Sequence, residues 1–152
     1  MSLNVGALEK TMKKIAIARS DEEIASCFSV MRELRPHLKA DLFVPRAKKL
    51  FEITGLQIVY LFDGEIKAVA GFRIGEWLAV DGKYLEIEDF VTKSSERWRG
   101  YGGALFDWLI AHSRENGCTH LRLVSNTART EAHRFYERKG MAHVANYFSM
   151  NL

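Results

Sequence analysis

The chain has 152 residues and a mass of 17.4 kDa, the size of one domain with a substantial core. Its content, 47% hydrophobic and 27% charged, is that of a globular protein and excludes a disordered or fibrous one. A net charge of +3 is too small to indicate a nucleic-acid partner, and no apolar run approaches the ~18 residues of a membrane span.

Residues 1–12 are read as disordered or as an expression remnant, and no secretory signal core is legible there. A cytoplasmic location is expected. Cys27 and Cys118 lack metal-ligand spacing, and the five histidines form no cluster, so no metal is expected. Each cysteine falls in an apolar pattern and is read as a buried free thiol in a reducing compartment.

Lys14 to Arg19 alternates as a first strand. Ser20 with Glu23 forms a capping box for a helix bearing Ile24, Phe28, Met31 and Leu34, which must end near Arg35-Pro36. A second helix is predicted from Pro45 to Phe51. Leu56 to Phe62 and Ile66 to Ile74 read as strands joined at Asp63-Gly64, and Asp81-Gly82 turns into a strand from Tyr84 to Val91. Strands flanking helices throughout predict a single mixed-sheet α/β domain.

The segment Glu96-Arg97-Trp98-Arg99-Gly100-Tyr101-Gly102-Gly103-Ala104 then opens a helix marked by Leu105, Leu109 and Ile110, with Trp108 alongside, and closed by Gly117. A glycine-rich turn at a helix N-terminus presents N–H groups where the helix dipole is positive, which suits a phosphate. Gly100 and Gly102 are expected to allow positive φ and a close approach of the backbone. The spacing fits neither a P-loop nor a dinucleotide fingerprint.

Arg97-x-x-Gly100-x-Gly102 resembles the coenzyme A loop of the GNAT superfamily of acyl-CoA-dependent N-acyltransferases. A strand over Leu121 to Val124 and a second helix closing at Gly140 follow. That helix carries Ala132-His133-Arg134-Phe135-Tyr136, then Gly140-Met141, and is similar to the superfamily's second signature. The resemblance implies a sheet of six to seven mostly antiparallel strands flanked by about four helices. It also implies acetyl-CoA as co-substrate, an amine acceptor and, commonly, a homodimer. Its coenzyme contacts would fall on Val91, Arg97, Trp98, Arg99, Gly100, Tyr101, Gly102, Gly103, Ala104, Asn126, Arg129, Ala132 and Phe135. Trp98 stands where small residues are common, and Arg129 where many members have asparagine.

Acetyl transfer to an amine needs a route for a proton. With a lysine-like pKa of ~10.4, only about one molecule in a thousand is free base at neutral pH. Glu88 and Asp89 supply the acids, with Glu86 a third candidate. Similar Glu-Asp-Phe stretches in polyamine-type members assign amine deprotonation to the glutamate and cation holding to the aspartate. Aminoalkylphosphonate-type members share the His-Arg-Phe-Tyr stretch and keep an acid only at the equivalent of Asp89. Adjacent strand residues point to opposite faces, so Glu88 and Asp89 cannot share a role unless the strand bulges. The resemblance makes Tyr136 the acid facing the leaving thiolate. Without a convincing nucleophile, direct attack by a small primary amine is expected, a peptide amine or a non-catalytic acyl-CoA module being the rivals. Arg32, Arg35, His37 and Lys39 could hold an anionic acceptor group, although a solvated helix end accounts for them more simply.

Overall fold

The computed structural model describes residues 12–152, so the expectation placed on residues 1–12 lies, but for Met12, outside the described residues. Two compact units are present, one ending at Arg122 and the other running from Leu123 to Leu152. Strands β1 (Lys14–Ile17), β2 (Gln57–Phe62), β3 (Ile66–Trp77), β4 (Gly82–Thr92) and β5 (Cys118–Leu123) form one sheet in the order β1-β2-β3-β4-β5. The β1–β2, β2–β3 and β3–β4 pairings are antiparallel, and β5 reaches the side of β4 through a helical crossover. The sheet as a whole is mixed.

The expected count of six to seven strands is corrected to five among the described residues. A strand needs a neighbour to satisfy its backbone N–H and C=O groups. Residues 141–152 join no ladder, and Val144, Tyr147 and Phe148 are exposed.

Among the described residues the α-helices number five, against about four expected: α1 (Asp21–Ser26), α2 (Phe28–Leu34), α3 (Ala40–Thr54), α4 (Tyr101–Glu115) and α5 (Thr130–Arg138). The extra one arises because the helix expected from Ser20 is interrupted at Cys27, whose N–H turns to Ile24 O, three residues back. The serine half of its capping box forms as expected, Glu23 N donating to Ser20 Oγ at 3.1 Å, while the Glu23 carboxylate accepts at 3.4 Å from Arg19 N, one residue before the cap. Helix α3 begins five residues before Pro45, which sits inside it. Proline there forfeits one helical hydrogen bond, and burial of Phe43 and Ala47 on the core side offsets that loss.

The sheet packs on both faces. One face buries Ile58, Tyr60, Val69 and Val91 with Cys27, Val30, Met31, Phe43 and Ala47 of the segment α1–α3. On the other, Phe72 meets Trp108 of α4 edge-on at 6.1 Å, and Phe90 meets Phe106 at 5.9 Å. Leu105, Phe106 and Leu109 are fully buried, so the predicted stripe of α4 faces the core. Among the described residues, no helix is long and apolar enough to cross a membrane.

Candidate active site

Strand β3 presents Gly71, Arg73 and Gly75 on the face of the sheet that carries α1–α3. The two glycines leave room for their partners from β4. A Cβ on Gly71 would stand 2.6 Å from Asp89 Oδ2, and one on Gly75 would stand 2.8 Å from the Tyr84 hydroxyl. Between them, Arg73 donates to Glu88 Oε1 at 2.6 Å, to Glu86 Oε2 at 3.0 Å and to the Tyr84 hydroxyl at 3.0 Å. Burial opposes the Arg73 charge, but its bonds to Glu88 and Tyr84 outweigh that and raise its pKa.

The β3–β4 register breaks here. Gly71 pairs with Asp89 and Phe72 with Ile87, which leaves Glu88 without a partner across the ladder. This bulge removes the obstacle raised by strand alternation. Asp89 keeps the α1–α3 face, and the extra residue lets Glu88 turn to the same side, as their two arginine contacts show. Asp89 Oδ1 accepts from Arg35 Nε at 2.8 Å, and Arg35 Nη2 donates to the Glu88 carbonyl at 3.2 Å. Arg35 therefore belongs to the acid cluster and is more than a solvated helix end. Arg122 completes the cluster, bonded to Glu86 Oε2 at 3.0 and 3.1 Å and stacked 4.0 Å from the Tyr84 ring centroid. Strand β4 lies between β3 and β5 in the sheet order.

The expected anion loop leaves β4 through a short 3-10 turn at Ser94–Glu96. Trp98 and Gly100 both adopt left-handed φ, at 69° and 82°. Gly100 is the N-cap of α4 and no side chain caps that end, so the first-turn N–H groups meet no capping oxygen. Arg97, Trp98 and Arg99 are exposed beside it, with Arg99 3.2 Å from Glu96. Gly102 departs from expectation: it is helical, and a Cβ there would stand 2.9 Å from Thr92 Oγ1. Its small size serves close packing of α4 on β4. Val91 points its side chain into the core.

A charged buttress holds this loop. Lys67, nearly buried on β3, donates to Glu96 Oε1 at 2.8 Å and Glu65 Oε1 at 3.0 Å. Tyr101 donates to Asp63 Oδ2 at 2.7 Å. The β2–β3 turn is thereby tied to both ends of the loop. Hydrogen bonds from Lys93 and then Lys67 hold Glu65 below the usual glutamate range, and the bond from Lys67 does so for Glu96.

In the second unit, Asn126 Oδ1 accepts from Ala128 N at 2.9 Å, and the Asn126 carbonyl lies 2.9 Å from the His133 ring. These contacts fix the turn into α5, where Arg129 is the N-cap. Ala132 and Phe135 are half-buried, and Tyr136 is buried with its ring 5.6 Å from that of Phe135. Burial raises the Tyr136 phenol above its ordinary value of 10, with Arg129 opposing, so at neutral pH it is a proton donor. Cys27 is pushed up to about 12 by burial and by Glu23, and is no nucleophile at neutral pH. Cys118, expected to be buried, is only partly so, and His120, two residues on along the same face of β5, is exposed.

Arg73 and the two glycines beside it, Gly71 and Gly75, escaped the sequence reading. Gly71-x-Arg73-x-Gly75 at strand spacing was the available signal for Arg73. Nothing local linked Arg35 to Asp89, 54 residues away.

Residues 19–141 match the acetyltransferase (GNAT) family. An uncharacterized N-acetyltransferase of Bacillus subtilis (strain 168), YhdJ, is 31% identical over 121 residues, 79% of this chain and 84% of that protein. A transcriptional regulator from Bacillus halodurans C-125 has a similar structure, with TM-score 0.81 and 19% identity over 93% of this chain and 100% of that one. Glucosamine-6-phosphate N-acetyltransferase from Arabidopsis thaliana superposes with TM-score 0.73 and 23% identity, covering 92% of this chain and 98% of its own. At these identities the two structures show the shared fold.

Proposed function

The chain belongs to the acetyltransferase (GNAT) family and is an acetyl-CoA-dependent acyltransferase, and we propose that it acetylates a primary amine of a small molecule by direct attack. The observation that carries the proposal is the β4 bulge, which brings Glu88 and Asp89 to one face of the sheet upstream of the loop that opens α4.

The residues present suit coenzyme A. The left-handed Gly100 cap has open space beside it, carries no side-chain capping bond and is flanked by Arg97 and Arg99. The backbone from Arg99 to Ala104 and the Arg97 guanidinium would hold pyrophosphate. Asn126, Arg129, Ala132 and Phe135 are assigned to the coenzyme by resemblance. When bound, the coenzyme supplies a thioester carbonyl open to an amine.

Asp89 holds the acceptor ammonium, and Glu88 takes its proton, directly or through a water. The N–H of Glu88, outside the ladder register, is the donor assigned to the carbonyl oxygen as charge grows there. Tyr136, kept protonated by burial, is assigned to the departing sulfur. A cytoplasmic homodimer completes the proposal.

The test is acetyl-CoA turnover read by release of free thiol, with a panel of small amines beside lysine-bearing and N-terminal peptides. Faster turnover of free amines is expected. Faster turnover of peptides would reassign the acceptor to a protein.

A further inference from the structure

The acid cluster is fully matched by arginines. Glu86, Glu88 and Asp89 face Arg73, Arg122 and Arg35, so the three negative charges meet three positive ones. A polycationic amine would find no surplus negative charge here. Pairing its ammonium with any of the acids would displace a guanidinium and leave that guanidinium beside an incoming cation.

The three arginines are not held equally. Arg73 bonds two carboxylates and a phenol, and Arg122 is bound to Glu86 while stacked on two aromatic rings. Arg35 makes one carboxylate contact and one carbonyl contact, and its side chain is 44% exposed while Asp89 beneath it is 19% exposed. Arg35–Asp89 is therefore the pair that an acceptor can open at least cost.

Opening it without stranding a charge requires a ligand with both signs. We infer that the acceptor is a small primary amine that also carries an anionic group, a carboxylate or a phosphonate. Its ammonium takes Asp89 and its anion takes Arg35, so one ion pair is exchanged for two. Arg35, the C-cap of α2 just before Pro36, has room to follow the anion because its side chain is nearly half open to solvent and makes only these two contacts among the described residues. This inference rests on the proposed amine acetylation and names its substrate class.

The experiment compares 3-aminopropanoate, 2-aminoethylphosphonate, propylamine and 1,4-diaminobutane as acceptors for the full chain, by steady-state kinetics. Calorimetric titration of each amine into the coenzyme A-saturated protein accompanies it. The two anionic amines should exceed the other two in kcat/KM by about tenfold or more, the worth of one charge-assisted contact. The faster of them identifies the anion. In Arg35→Gln that preference should collapse through KM, and Arg35→Lys should restore part of it. A preference for the diamine, or one that survives Arg35→Gln, overturns the inference. If no amine is acetylated, titration decides: Arg35-dependent binding of an anionic amine upholds the substrate class while the transfer reading fails, and no binding overturns the inference.

Discussion

Asp89 lies directly over Gly71, with a carboxylate oxygen where a Gly71 side chain would begin. The pair of strands can carry an acid at this point only because β3 offers no Cβ beneath it. Gly71→Ala should therefore push Asp89 off Arg35, at a stability cost of about 1–3 kcal/mol for an overpacked site. The folded variant should lose kcat/KM for the amine while its acetyl-CoA affinity is retained. Thermal unfolding, kinetics and coenzyme titration on one preparation check this; unchanged kinetics would separate Asp89 from acceptor binding.

Glu88 and Asp89 should differ in phenotype. Glu88→Gln is expected to lower turnover by roughly 10²-fold or more at neutral pH, the usual range for a lost base, with little change in coenzyme binding. Asp89→Asn is expected mainly to raise the KM of the amine. Steady-state kinetics on both variants is the measurement, and swapped phenotypes would exchange the two roles.

The loop glycines should separate by mechanism. Gly100→Ala adds a methyl in open space but strains a φ of 82°, costing about 1–2 kcal/mol, and should weaken acetyl-CoA binding by distorting the cap. Gly102→Ala instead drives a methyl against Thr92 Oγ1, 2.9 Å away, and should show its effect first as lowered stability. Calorimetry and thermal melts distinguish the two; equal coenzyme affinity in folded Gly100→Ala would remove the cap from the binding site.

The Lys67 buttress predicts a pH dependence. Glu96 has its pKa lowered below the ordinary 4.5, so its contribution to stability is present above that value and is lost as pH falls through the depressed one. Lys67 has its pKa raised above 10.5, so its contribution is full below that pH and fades above the raised value. Melting temperature should therefore fall more steeply in acid for the wild type than for Glu96→Gln. Lys67→Met should also weaken acetyl-CoA binding, since Glu96 and Tyr101 bracket the loop. Parallel acid profiles for wild type and Glu96→Gln would deny the pair a role.

Much of this architecture was legible because it is written locally. Ser20 and Glu23 announce a helix start, Asp63-Gly64 a hairpin, and Gly100 and Gly117 the ends of α4. The bulge was not legible. Period-two alternation separates Glu88 from Asp89, and the break in register belongs to β3 as much as to β4. Pro45 misled for a related reason, since a local breaker was overridden by burial of Phe43 and Ala47. The acids could be named from the strand, but their arginine partners come from distant chain and only the fold assembles them.

Direct attack by the amine is the central claim, and initial-velocity kinetics with acetyl-CoA and the amine both varied tests it most directly. With a Cys27 thiol pushed up to about 12, no acyl-enzyme is expected, so the reciprocal plots should intersect and intact mass should show no acetylated protein. Parallel lines, together with a stable acetyl adduct on the protein before amine is added, would contradict the account.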